Sequence, residues 1–73
     1  MLLSDCPIDK NCEIVSVNLS DDETLRLCEL GLRIGSKLRV CQYCPFGSLL
    51  ISKGTERIGI SPHIAKSLVV KYI

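Results

Sequence analysis

The chain has 73 residues, of which 47% are hydrophobic and 23% are charged, and its net charge is +1. This length fits one small domain, and the apolar fraction is high enough for a compact core, which argues against a disordered protein. No apolar run approaches the ~18 residues that a membrane-spanning helix needs. Ser4 and Asp5 follow the first apolar residues directly, unlike a secretory signal, so we expect a cytoplasmic protein with no direct membrane insertion.

The first predicted elements are a strand and a helix. A strand is predicted over residues 13–19, with Val15, Val17 and Leu19 on one face. Ser20 and Glu23 have the spacing of a capping box, which predicts a helix over residues 21–30. The buried face of this helix is expected to continue into the next turn and to contain Leu25, Cys28 and Leu32.

Four further strands are predicted, over residues 37–43, 48–53, 56–60 and 68–72. Pro45-Phe46-Gly47 is a predicted turn, and Ser61-Pro62 has the residues of a helix start, which predicts a short helical turn ending near Ser67. Connections this short favour antiparallel pairing. The predicted fold is therefore mainly β, a small closed or half-closed barrel of about five strands with one inserted helix. The predicted core comprises Val17, Leu25, Leu38, Val40, Ile51, Ile58, Ile60 and Val70.

The charge is distributed unevenly along the chain. Residues 1–31 carry seven acids and two bases, whereas residues 32–73 carry one acid and seven bases. The two halves either neutralise each other in the folded domain or leave a basic face for a negatively charged partner. With only three aromatic residues, the chain lacks the usual stacking platform for bases, so nucleic-acid binding is not expected.

Five cysteines are present, an odd number without a secretory signal, which predicts reduced thiols rather than disulfides. Cys41 and Cys44 have the spacing of a zinc half-site, but a structural zinc site normally has four ligands. A second pair is absent, and His63, the only histidine, is expected to be an exposed helix-start residue. Cys41 and Cys44 therefore remain only candidate metal ligands. In one alternative, a second copy of the chain in a dimer supplies the other two ligands of the site.

Catalytic patterns are absent from the chain. It has no phosphate-binding glycine loop, no His-Glu-x-x-His helix and no Ser/His/Asp order. The acidic run at 21–23 is explained by the preference of a helix N-terminus for negative charge. We therefore expect a binding protein rather than an enzyme, with no cofactor.

Several segments together resemble the FeoA-domain family. The core of the resemblance is the run from Arg26 to Leu32, then Gly35, then the strand that begins with residues 37–40. It extends to Leu3-Ser4-Asp5 with Pro7, to Pro45-x-Gly47, and to residues 57–60 with Ala65 before Leu68-Val69-Val70. Two turn positions depart from the pattern: Ile34 replaces a usual proline and Asp9 a common glycine. Other residues can fill such turns, so the departures leave the fold expectation intact.

This resemblance implies an SH3-like barrel and a role beside the bacterial ferrous-iron transporter. The implied partner is the cytoplasmic GTPase part of that transporter, whose assembly or activity the protein would modulate. One alternative function is that of a metal-binding or metal-sensing small protein that uses Cys41 and Cys44. The same domain also occurs fused to metal-dependent repressors, so a stand-alone regulatory domain that works with a metal-dependent transcription regulator is a second alternative. Homo-oligomerisation also remains open.

The predicted partner-binding residues are charged positions around the helix and the following strand. A binding surface needs a polar rim around a few anchors. We expect that rim to contain Arg26, Glu29, Arg33, Lys37 and Arg39. Gly31, Gly35 and Gly47 are expected to act structurally, in turns.

Overall fold

The computed structural model describes all residues, 1–73. Its strands and helices are β1 (Asn11–Val17), α1 (Asp21–Glu29), β2 (Lys37–Tyr43), β3 (Leu49–Lys53), β4 (Glu56–Ile60), α2 (Pro62–Ala65) and β5 (Leu68–Tyr72). Two short 3₁₀ turns lie at Leu3–Asp5 and Pro45–Gly47. The predicted order of elements is confirmed, and β1 lies two residues earlier in the chain than predicted.

Neither helix has the length and apolar character needed to cross a membrane.

The five strands form one antiparallel sheet in the order β4-β3-β2-β1-β5. Hairpins connect β2 to β3 and β3 to β4, whereas α1 carries the chain from β1 to β2 and α2 carries it from β4 to β5. A backbone bridge between Leu2 and Val69 adds the N-terminal segment to the outer edge of β5. Fold class and connectivity therefore agree with the expectation of a small, mainly β domain.

One aliphatic core lies on the inner face of this sheet. Its 14 buried residues include Leu38 and Val40 of β2, Ile51 of β3, Ile60 of β4 and Val70 of β5. These five predicted core residues are confirmed. Val17 and Ile58 are only partly buried and pack against the edge of the core.

Leu25 was predicted to be buried and is not: 60% of its surface is exposed. Cys28 of the same predicted stripe is also exposed. Leu27 is the residue of α1 that enters the core, at 4% exposure, and Leu32 after the helix is fully buried. The helix therefore lies on the sheet with a different face inward from the one that its spacing indicated.

The inner face of β1 also differs from the prediction. Cys12 and Ile14 are fully buried, whereas Val15 is 37% exposed. The pairing with β5 shifts register between Ile14 and Ser16, which marks a β-bulge at Val15. Because an extra residue in one strand reverses the alternation of side chains, the inward face changes at this point.

The end of α1 shows why Gly31 stands where it does. Gly31 has φ +85°, its N–H donates to the carbonyl of Cys28 at 2.9 Å, and the N–H of Leu32 donates to the carbonyl of Leu27 at 3.0 Å. This is a Schellman motif, in which the left-handed residue is usually glycine and the two flanking apolar residues meet. Here those two residues, Leu27 and Leu32, both belong to the core, so the turn directs the chain back towards the sheet.

Asp9, at the first departure from the family pattern, has φ +68°. Aspartate tolerates this left-handed conformation better than most residues, which explains how it replaces glycine there. Its N–H donates to the carbonyl of Val40 at 2.8 Å, so the turn is attached to β2. The fold therefore accommodates this departure without a change of topology.

Candidate partner-binding surface

The start of α1 is joined to α2 through side chains. The Ser20 hydroxyl accepts from the N–H of Glu23 at 3.3 Å and donates to its carboxylate at 2.9 Å. The same carboxylate lies 2.9 Å from Nε2 of His63 on α2. The hydrogen bond from Ser20, followed by the charge of His63, lowers the pKa of Glu23 below its usual value of 4.5. His63 is exposed as predicted, but its pairing with a residue forty positions away was not foreseen.

Between the two helices lies a cleft of about 370 Å³. Leu27, Leu30, Ile60 and Ile64 supply its apolar lining, and Glu23, Arg26 and His63 add polar side chains to it. Of the predicted partner-binding residues, Arg26 is the one that lines this cleft.

Lys37 and Arg39 lie together on the outer face of β2. Lys37 is paired with Glu13 of β1, which is paired in turn with Lys71 of β5. Arg39 is paired with Ser52 of β3, which lies opposite Arg57 of β4. The outer face of the sheet thus carries four bases and one acid at these cross-strand positions: Lys37, Arg39, Arg57, Lys71 and Glu13.

Only one of these bases forms an ion pair within the chain, although both Lys37 and Lys71 lie opposite Glu13. Lys71 lies 3.8 Å from the Glu13 carboxylate, and the pair Glu23–His63 is the sole other ion pair. The two halves of the sequence therefore neutralise each other only in part, and the sheet keeps a basic outer face. Lys37 and Arg39 also line a cleft of about 530 Å³ together with Asn11 and Ser52.

Arg33 lies in a third region, the turn between α1 and β2. The Arg33 N–H donates to the Ser36 hydroxyl at 3.0 Å, and that hydroxyl donates to the carbonyl of Gly31 at 3.3 Å. Arg33 and Lys53 line a cleft of about 660 Å³ there. All five predicted partner-binding residues are exposed. Four of them are divided among three separate clefts, and Glu29 lines none of these clefts.

The five cysteines have free thiols. Cys41 and Cys44 are half-buried, and the Cys41 thiol donates to the carbonyl of Arg39 at 3.9 Å. No three His, Cys, Asp or Glu side chains of the chain are grouped to hold a metal ion. Cys41 and Cys44 therefore stay candidates that would need ligands from outside the chain.

Cys6 and Cys12, which the sequence did not distinguish from the others, are buried side by side with their sulfur atoms 3.7 Å apart. Burial, together with the neighbouring Cys6, raises the pKa of Cys12 to about 12. A thiol with such a pKa is protonated near neutral pH and is a poor nucleophile or metal ligand. This pair is therefore part of the core.

Sequence reasoning also missed Phe46 as a surface feature. It lies in the predicted turn, between β2 and β3, and 99% of its surface is exposed. The other exposed large apolar side chains range from 37% to 64% exposure. The signal was present in the sequence as a phenylalanine between proline and glycine, where a turn leaves its central side chain without neighbours.

The antiparallel five-stranded sheet around a single aliphatic core, with a helix after its first strand, defines a small SH3-like β domain. The model of the FeoA domain matches residues 1–72. The chain therefore belongs to the FeoA-domain family, which is linked to ferrous-iron transport. No curated protein matches the chain.

Solved structures agree with this assignment. The FeoA protein from Chlorobium tepidum is 26% identical, with a TM-score of 0.89, over 100% of this chain and 70% of that one. The FeoA of Stenotrophomonas maltophilia, solved with zinc, is 32% identical, with a TM-score of 0.76, over 97% of this chain and 89% of that one. It is described as an SH3-domain protein proposed to act as a ferrous iron transport activating factor.

The same fold also occurs within larger regulators. The manganese regulator SloR is 19% identical with a TM-score of 0.87, and the match covers 100% of this chain and 34% of SloR. At this identity the likeness concerns the fold alone.

Proposed function

We propose that this protein is a non-enzymatic, cytoplasmic accessory protein of bacterial ferrous-iron uptake. Its partner is the cytoplasmic GTPase part of the iron transporter, and its binding modulates the assembly or activity of that transporter. Membership of the FeoA-domain family supports the pathway, and the description of the S. maltophilia relative supports an activating role.

The observation that carries the proposed surface is the exposed positive charge of the segment 33–39, which forms no ion pair within the chain. All three side chains, Arg33, Lys37 and Arg39, are exposed and free of ion pairs, although Lys37 lies opposite Glu13 across the sheet. Charges of this kind raise the rate of encounter with a partner of opposite potential. The complementary region of the GTPase domain is therefore acidic. We assign Arg26 and Glu29 of α1 to the margin of this surface.

The test is a charge reversal, Arg33→Glu with Arg39→Glu, measured against the isolated cytoplasmic domain of the transporter. Association at low salt should slow by about tenfold or more, because electrostatic steering is lost. The salt dependence of association should weaken as well. The fold should survive, since exposed substitutions usually change the unfolding free energy by no more than about 0.5 kcal/mol.

A matched control keeps the same change in net charge but places it elsewhere. Lys10→Glu with Lys66→Glu reverses two exposed bases that are not among the residues assigned to the surface. If both double variants slow association equally, net charge rather than this surface sets the rate. If wild-type protein binds no part of the transporter, the functional assignment itself is wrong.

The metal-binding alternative has one observation in its favour, the zinc in the S. maltophilia structure. A zinc titration followed by native mass spectrometry separates the two functions. Tight binding that is lost in Cys41→Ser and in Cys44→Ser would favour the metal-binding protein.

A further inference from the structure

The turn between β2 and β3 carries an exposed aromatic side chain on a backbone that hydrogen bonds hold in place. The N–H of Cys44 donates to the carbonyl of Ser48 at 2.8 Å, and the Ser48 hydroxyl donates to the carbonyl of Pro45 at 3.3 Å. Two hydrogen bonds therefore close the turn around Phe46. Gly47 packs against the first residue of α2: a Cβ added there would lie 3.4 Å from the ring carbons of Pro62.

The backbone at the tip is left-handed at two successive residues, Phe46 at φ +66° and Gly47 at φ +86°. Glycine adopts this conformation freely, but phenylalanine seldom does. The chain thus holds a bulky side chain in an unfavourable backbone conformation and leaves it 99% exposed. Neither feature contributes packing to the domain itself.

The chain segment that contains Phe46 is uncharged. Residues 40–52 contain no Asp, Glu, Lys or Arg, although 23% of the chain is charged. Tyr43, next to the turn, is 40% exposed. An aromatic side chain within an uncharged segment, on a preorganised turn, matches the centre of a protein interface, where charged residues are depleted and rigidity limits the entropic cost of binding.

We propose that Phe46 is the anchor of the interface and inserts into an uncharged apolar pocket on the GTPase domain. This inference rests on the proposed function and adds to it an anchor at the hairpin tip, separate from the basic residues that steer the encounter.

A membrane is a poorer match because the turn lacks the Lys and Arg residues that attract a peripheral segment to anionic lipid. A second copy of this chain is a poorer match because charged groups stand around its apolar cleft between α1 and α2.

A fluorescence experiment reports on the tip directly. The chain has no tryptophan, so Phe46→Trp introduces a single reporter. Its emission should be that of a hydrated indole in the free protein and should shift to the blue when the GTPase domain is added. Binding without a change in emission would show that the tip stays in water and would overturn the proposal.

Affinity measurements give the second test. Phe46→Asn removes the ring but keeps a residue that tolerates the left-handed conformation. This substitution should weaken binding by about 30-fold or more, as expected for an interface hot spot. The loss of affinity should be the same at low and high salt, and the thermal melting temperature should be unchanged or higher. Phe46→Leu should bind better than Phe46→Asn. Ile8→Asn, at another exposed apolar residue (46%), should bind like wild type.

The outcomes separate the anchor from the function. If wild type binds the GTPase domain and Phe46→Asn binds equally well, Phe46 is not the anchor, and the proposed function is unaffected. If wild type does not bind that domain, both the proposed anchor and the proposed function are wrong. If Phe46 is needed instead for sedimentation with phosphatidylglycerol vesicles, or for self-association in sedimentation velocity, the proposed occupant is wrong.

Discussion

Glu23 shows how one side chain serves two purposes at the residue scale. Its carboxylate accepts from the hydroxyl that caps α1, and it also contacts the imidazole of α2. Both interactions favour the ionised carboxylate, and the lowered pKa of Glu23 expresses this. A carboxyl whose pKa is lower in the folded state stabilises the fold above its unfolded pKa, and that contribution is lost as pH falls through its folded pKa.

We therefore predict that Glu23→Gln is less stable than wild type at pH 7, since the amide cannot replace the charge facing His63. The difference in unfolding free energy should close as the pH falls below 4.5, the usual pKa of the group, because the wild-type carboxyl is then protonated as well. Urea denaturation at several pH values measures this. Glu29→Gln, an exposed glutamate of the same helix, serves as the control and should show no such pH-dependent difference.

At the scale of elements, α1 is the clearest case of a correct boundary with an incorrect face. Leu27→Ala should lower the unfolding free energy by about 2–5 kcal/mol because it leaves a cavity against the sheet. Leu25→Ala, two residues away and 60% exposed, should change it by no more than about 0.5 kcal/mol. Thermal or chemical denaturation of the two variants compares them directly, and similar losses would show that the helix packs with another face inward.

The reason for this error is physical. Ser20 and Gly31 are local signals, so the limits of α1 could be predicted from adjacent residues. Which leucine enters the core depends on how the helix lies across the sheet, a contact between distant segments. The reversal in β1 has a similar origin, because the bulge at Val15 appears only when the strand pairs with β5.

The surface was predictable to a similar extent. That Arg33, Lys37 and Arg39 are exposed follows from their charge and from the alternation of β2. That Glu23 meets His63, or that Arg39 and Arg57 flank Ser52, requires the register of the sheet and the position of α2. Exposed charge can therefore be predicted from sequence, but its grouping into clefts cannot.

At the scale of the whole molecule, the N-terminal segment connects parts of the sheet that do not pair with each other. Met1 exchanges backbone hydrogen bonds with Val70 of β5, at 3.0 and 2.7 Å, and Leu3 is fully buried in the core. From the end of β2, the Tyr43 hydroxyl contacts the carbonyls of Ser4 and Cys6. This one side chain thus attaches residues 4–6 to a strand that lies nearly forty positions further along the chain.

Tyr43→Phe should consequently lower the unfolding free energy by about 0.5–1.5 kcal/mol near neutral pH, the usual contribution of a hydrogen bond to stability. Tyr72→Phe is the matched control because Tyr72 is 54% exposed and its hydroxyl makes no hydrogen bond within the chain. Burial, followed by the proximity of Cys6 and Asp5, raises the pKa of Tyr43 above its usual value of 10.0. A raised pKa means that the stabilisation is complete below the unfolded pKa and is lost as pH rises through the folded value. The difference in unfolding free energy between wild type and Tyr43→Phe, measured by urea denaturation, should therefore narrow above pH 10.0. If wild type and Tyr43→Phe are equally stable near pH 7, the N-terminal segment is held only by Leu3 in the core and by the bridge from Leu2 to β5.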